Sequence, residues 1–112
     1  MAVNEDLAKR IRSLVVLDPR VTEKRMFGGV AFLLDGRILV SARRTGTMLV
    51  QCGPEAAIEA VSEAGVTAMV MAGRPNRNFI DVANDSLETE EGLQRWITLA
   101  ERYVAALPPQ ER

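Results

Sequence analysis

Two adjacent glycines, an apolar run and then an Asp-Gly pair constrain this chain more than any other stretch: Arg25-Met26-Phe27-Gly28-Gly29-Val30-Ala31-Phe32-Leu33-Leu34-Asp35-Gly36-Arg37. Asp-Gly between apolar segments signals a hairpin, because a two-residue type I′ turn needs positive φ at both central positions. Gly28-Gly29 lets the backbone bulge or turn where a side chain would clash. The stretch therefore predicts a strand, a break, a second strand and a tight turn. With Asp35-Gly36 as the turn, Leu33 faces Ile38 and Phe32 faces Leu39. Counting outward puts Ala31, Leu33, Ile38 and Val40 on one face, and Val30, Phe32, Leu34 and Leu39 on the other. Both faces are apolar, which a sheet with one wet side would not show. Helices can cover one. The second calls for a terminal helix, a curled strand or another subunit, and a homodimer through one of these faces is the expectation.

The rest of the chain supplies the helices and the remaining strands. Asn4-Glu5-Asp6 reads as a helix start, with a capping side chain and acids in the first turn. Leu7, Ile11, Leu14 and Val15 then form one apolar stripe, and Pro19 stops the helix near Leu17 or Asp18. Lys9, Arg10 and Arg12 lie off that stripe, as a solvated face or a phosphate-facing one. Val21–Phe27 reads as an edge strand, Arg43-Arg44-Thr45-Gly46 as a turn and Thr47–Cys52 as a strand. Pro54 opens a second helix with the stripe Ala57, Ile58, Val61 and Ala64; Glu55, Glu59 and Glu63 lie opposite, and Gly65 ends it. Val66–Met71 reads as a strand, Gly73–Asn78 as a polar loop and Phe79–Val82 as a strand. Asn84-Asp85-Ser86 marks a turn. Thr89 caps a last helix carrying Leu93, Trp96, Ile97, Ala100, Val104 and Leu107 on one face, with Pro108-Pro109 at its end. The sum is an α+β two-layer sandwich: a mostly antiparallel sheet with the order α-β(3–4)-α-β(2)-α, one domain over 1–112 and a frayed tail from about 108.

Composition narrows the chemistry. The chain has no histidine, which removes the commonest general base and the commonest metal ligand. Its single cysteine, Cys52, cannot form an internal disulfide and cannot build a zinc site, and it reads as a small buried hydrophobe in a reducing, cytoplasmic setting. The alternative, a thiol activated by the helix that Pro54 opens, lacks a base. No catalytic, cofactor or metal residues are therefore assigned, and the expectation is a non-enzyme. The polar, acidic N-terminus does not read as a secretory signal, and no apolar run approaches the ~20 residues of a membrane span. Net charge is −1: residues 1–44 carry +4 and residues 45–112 carry −5. A dedicated nucleic-acid domain is usually basic overall, so weak, non-specific binding is the most expected here. Strands between the helices exclude a helix-turn-helix, and Phe27, Phe32, Phe79 and Tyr103 are too few and too core-like for an RNA-stacking sheet.

Three blocks carry a resemblance to a known family. Arg25-Met26-Phe27-Gly28-Gly29-Val30-Ala31-Phe32 with its Asp-Gly turn resembles the N-terminal domain of the TfoX/Sxy family. Gly73-Arg74-Pro75-Asn76-Arg77-Asn78-Phe79-Ile80-Asp81-Val82 is similar to its Gly-Arg-Pro stretch, with Asn78 in place of a glycine, and Leu93-Gln94-Arg95-Trp96 is similar to the opening of its last helix. The likeness spans about Leu7 to Leu107. It implies the same two-layer fold and a regulatory role: these proteins regulate competence genes with the cyclic-AMP receptor protein and usually carry a C-terminal domain. A stand-alone N-terminal domain is expected here, acting as a non-enzymatic interaction module on a protein partner in the transcription machinery. A small-ligand or anion-binding domain is the alternative. The arginine forks at Arg25, Arg43, Arg44, Arg74 and Arg77, with Asn76, are the candidate binding groups, because they match carboxylate or phosphate. Met26, Phe27, Gly28, Gly29, Asp35 and Gly36 form the structural motif.

Overall fold

The computed structural model describes residues 3–26, 28–71 and 73–108; Phe27 and the tail beyond 108 lie outside the described residues. The elements run α1 (Val3–Val15), β1 (Val21–Met26), β2 (Gly29–Leu34), β3 (Arg37–Ala42), β4 (Met48–Gln51), α2 (Pro54–Ala60), β5 (Val66–Met71), β6 (Arg74–Val82), a 3-10 turn (Asp85–Glu88) and α3 (Glu90–Val104). All the strand pairings are antiparallel, in one sheet of order β1-β2-β3-β4-β6-β5. This is the expected α+β architecture.

The central hairpin forms as its turn residues require. Asp35 has φ 50° and Gly36 φ 86°, and Leu33 pairs with Ile38. Beyond that pair the register slips by one residue, so Phe32 opposes Val40 instead of Leu39. The expected Phe32–Leu39 pairing is corrected by this bulge. Its physical reason is packing: a regular ladder would turn Val40 away from the helices, whereas the bulge lets both Leu39 and Val40 join the core.

Registers of adjacent strands then define rows that cross the whole sheet. Arg25, Val30, Ala42, Met48, Val82 and Val66 make one row, and Glu23, Phe32, Val40, Val50, Ile80 and Ala68 make the next row on the same face. The helices cover this inner face: α1 and α3 pack on β2, β3 and β4, and α2 packs on β5 and β6. Leu7, Ala8, Ile11 and Val15 of α1 and Leu93, Trp96, Ile97, Ala100 and Val104 of α3 are buried there in one continuous cluster. Trp96 is fully buried, and its indole N–H donates to Ser86 Oγ at 2.9 Å, which satisfies the polar edge of a core side chain. Asn84 Oδ1 accepts from Ser86 N, and Thr89 Oγ1 accepts from Gly92 N, so each cap satisfies a free backbone donor.

Several expected boundaries move. α1 begins at Val3, which places Asn4 inside the helix, and it ends at Val15, before Pro19. α2 stops at Ala60, two turns in, so Gly65 ends a turn and not the helix. Its buried residues are Ala57 and Ala60, three apart; Ile58 and Val61 are turned off that line and stand 75% and 41% exposed. The expected α2 core stripe is thus wrong for Ile58 and Val61. Glu63 lies past the helix and leaves the supposed acidic row: it accepts from Arg95 at 2.7 Å and from Asn84 Nδ2 at 3.1 Å. That partnership holds its carboxyl below the usual carboxylate range. α3 ends at Val104, ahead of the prolines, and Arg37 donates to the Pro108 carbonyl at 2.6 Å. Residues 74–78 are strand instead of loop, since Arg74 pairs with Met71 and Asn76 with Met69.

Gly28 and Gly29 do different jobs. Gly28 has φ +77°, a backbone that L side chains resist. Gly29 sits against β3, where an added Cβ would fall 2.3 Å from the Ala42 carbonyl oxygen. Gly29→Ala should therefore cost about 2 kcal/mol or more by forcing the strands apart. Gly36→Val, which places a β-branched residue at positive φ, should cost about 1 kcal/mol or more. Denaturant melts of both variants check this. A wild-type midpoint for Gly29→Ala would show that the close approach is absent.

Candidate functional site

The row between the two inner rows faces the other way. It runs Lys24, Ala31, Ser41, Leu49, Asp81 and Thr67 across all six strands. Among the described residues no helix packs on this outer face: the helices' core partners are the apolar members of the inner rows together with Leu34, Leu39 and Cys52. Ala31, Ser41 and Leu49 are buried yet stand outside the helix-side cluster. Leu33 and Ile38 flank them, half-buried. Short side chains at Ala31 and Ser41 keep the middle of the face low, and Ser41 Oγ turns down to the Val30 carbonyl at 3.3 Å.

A polar cluster closes one end of this strip. Asp81 Oδ1 accepts from Thr47 Oγ1 at 2.9 Å and pairs with Arg43 at 3.2 Å. Thr47 Oγ1 also contacts Thr45 Oγ1 at 3.1 Å. The Arg43–Gly46 turn holds these groups through Gly46 N–H to Arg43 O, and Arg43 N–H donates to Thr47 O. Sequence reasoning passed over Thr47, Leu49 and Asp81. The signal was present at Asp81: a carboxylate between Ile80 and Val82 in a strand must point away from the core those neighbours enter.

The six candidate binding residues do not converge. Met48 pairs with Ala42 and with Val82, whereas Gln51 pairs with Phe79. Arg43 and Arg44 therefore lie at one end of the sheet, beside Gly28 and Gly29, and Arg25 lies near them on β1. Arg74, Asn76 and Arg77 lie at the opposite end, in the β5–β6 hairpin. Arg25 is committed to Glu5 at 3.3 Å, on the helix side, and Arg43 to Asp81; the Arg44 side chain lies over Gly28. Asn76 Oδ1 accepts from Asn78 N–H at 3.1 Å, and the Asn78 carbonyl accepts from the backbone N–H groups of Cys52 and Gly53. Asn76 and Asn78 thus shape the bend where β6 leaves β4. Of the structural motif, Met26 pairs with Gly29 at the end of the β1–β2 ladder.

Beside that bend lies a groove of about 310 Å³, walled by Ile58 of α2 and by Val61 just past its end and floored by Ala68 and Phe79, with Asn76 and Arg77 at its rim. Among the described residues no group of three His, Cys, Asp or Glu side chains stands close enough to hold a metal ion, and no helix is long and apolar enough to cross a membrane.

The chain matches the model of the TfoX N-terminal domain family over residues 14–103, and it belongs to that family. No curated protein and no solved structure matches it.

Cys52 is buried in the core cluster, and its thiol faces the Gly53 carbonyl at 3.7 Å. Burial pushes its pKa up from 9.0 to about 11, the opposite of an activated thiol at a helix start. Because the folded value is the higher one, this burial supports the fold fully below pH 9 and loses that support as pH climbs towards 11. Cys52→Ala should cost about 1 kcal/mol of packing. A thiol reagent at pH 7.5 should label the native protein far more slowly than the denatured one. Equal labelling rates would show the thiol to be accessible.

Proposed function

We propose that this protein is a non-enzymatic regulatory module that docks a protein partner on the outer face of its sheet. The observation that carries the reading is that face itself: Leu33 and Ile38 stand half-buried beside Ala31 and Leu49, with no helix on them among the described residues. Its charged groups stand to either side of that apolar centre, Lys24 on the edge strand β1 and Asp81, paired with Arg43, on β6. That is the anatomy of a docking patch, with an apolar centre and a polar rim. Family membership supports a partner in the transcription machinery and a role like that of TfoX/Sxy competence regulators, in the cytoplasm. The separation of the arginines favours this over an anion site, since Arg25 and Arg43 already hold carboxylates of the same chain. A net charge of −1 fits weak, salt-dependent contact with DNA at most.

The test uses purified cyclic-AMP receptor protein, with cyclic AMP and promoter DNA, as the probe. Wild-type protein should bind this complex. Ile38→Glu, at a half-buried site on the open face, should weaken that binding by about 2 kcal/mol, the range of an interface hot spot, while leaving the far-ultraviolet spectrum unchanged. Arg74→Ala with Arg77→Ala measures whether the far rim contributes. Tight, sequence-selective duplex binding by the isolated chain would refute the protein-docking reading and make it a direct DNA reader.

A further inference from the structure

The two edges of the sheet are defended unequally. β1 carries Glu23, Lys24 and Arg25, and two of these are tied to α1: Arg12 donates to Glu23 at 2.6 and 2.7 Å, and Arg25 reaches Glu5 at 3.3 Å. Charge along an edge strand keeps another strand from pairing there. β5, at the other edge, reads Val66-Thr67-Ala68-Met69-Val70-Met71, with no charge and no proline, and it pairs with β6 alone. Alternate residues of such a strand direct their N–H and C=O groups outward, ready to form a ladder. Alongside, Val70 is 64% exposed, and Ile58 and Val61 wall the apolar groove.

We infer that β5 is a self-pairing edge: two copies of this chain join β5 to β5 antiparallel about a two-fold axis, making one continuous sheet. Charge complementarity selects a second copy as the occupant. The Met71 end of β5 leads into Arg74 and Arg77, for which no carboxylate lies within ion-pair distance among the described residues. The Val66 end follows α2, whose exposed Glu59 has no cation within ion-pair distance among the described residues. Antiparallel self-pairing sets the basic end of each β5 beside the acidic end of the other, twice by symmetry. The same operation brings exposed Val70, Ile58 and Val61 near their own counterparts, so apolar surface meets apolar surface. The interface lies on an edge and not on the hairpin face where sequence reasoning put it, and it leaves the outer face free. It does not depend on the proposed partner.

Light scattering on the full chain across a concentration series tests this. Wild type should reach a dimer mass. Val70→Lys should weaken self-association roughly ten-fold or more, because lysine guards edge strands, while the far-ultraviolet spectrum stays at the wild-type form. Thr67→Lys, at a second exposed β5 site, should do the same and stands in if Val70→Lys fails to fold. Arg77→Glu should weaken the dimer, and adding Glu59→Arg should restore it. A monomer at high concentration overturns the inference. So does a dimer indifferent to both lysines, or one broken by Ile38→Glu alone, which would place the interface on the outer face.

Discussion

The sheet depends on how closely β2 can approach the end of β3. At Gly29 the backbone of β2 lies against the Ala42 carbonyl, with no room for a Cβ between them. That approach keeps the Val30–Ala42 pair in register at the one end, while the Asp35-Gly36 turn keeps Leu33 on Ile38 at the other. Between the two fixed ends β3 carries one residue too many, and the surplus is taken up as the bulge at Leu39. A bulge there costs one ladder position and adds Val40 to Leu39 among the side chains delivered to the helices. Since burying such a side chain is worth about 1.5–3 kcal/mol, the exchange is favourable.

Seen this way, the parts that were legible in the sequence share a cause. Turn chemistry is local: Asp-Gly, Thr89 and Asn84 each act on their own backbone within three residues, and each does what its residue type predicts. Long apolar stripes also read true, because α3 presents five buried positions and only one orientation satisfies them all. What was illegible is set by counts and partners far away in sequence. The Leu39 bulge follows from the Gly29–Ala42 contact, which the residues beside Leu39 do not reveal. Ile58 and Val61 look like core in a four-residue stripe; in a helix of two turns only Ala57 and Ala60 reach the sheet. Residues 74–78 look like a loop, since their polarity gives no alternation, yet β5 recruits residues 74–76 by pairing. At the candidate site the failure was of the same kind. A set of arginines can be counted in a sequence, but the end of the sheet on which each falls is decided by strand order.

Strand order also explains the division of charge. The excess of positive charge in residues 1–44 is met in part by acids within that segment: Arg12 with Glu23, Arg20 with Asp18 and Arg25 with Glu5. These pairs are exposed and each contributes little to stability. Their positions matter more than their energy, because two of them bind α1 along β1 and close that edge of the sheet. The Arg95–Glu63 pair does comparable work elsewhere, tying α3 to the turn before β5, with the Arg95 guanidinium 4.2 Å from the Trp96 ring. Ion pairs thus fasten the helices at the rims, while the apolar rows carry the stability.

The two surfaces left uncovered among the described residues follow from the lengths of the helices. A six-stranded sheet has two faces and two edges, and three helices of 13, 7 and 15 residues cannot cover them all. Their apolar stripes go to the inner face, where Trp96, Phe32 and Ile11 fill the space. α1 is long enough to reach out over β1 as well; α2, at two turns, is too short to shield β5. The outer face is left to its own side chains, and it meets that condition with small and polar residues in the middle row, Ala31, Ser41, Asp81 and Thr67, that tolerate solvent better than a row of leucines would. β5 meets no such condition. A neutral strand with Val70 exposed, beside exposed Ile58 and Val61, gains by being covered, and its sequence contains nothing that would repel the cover.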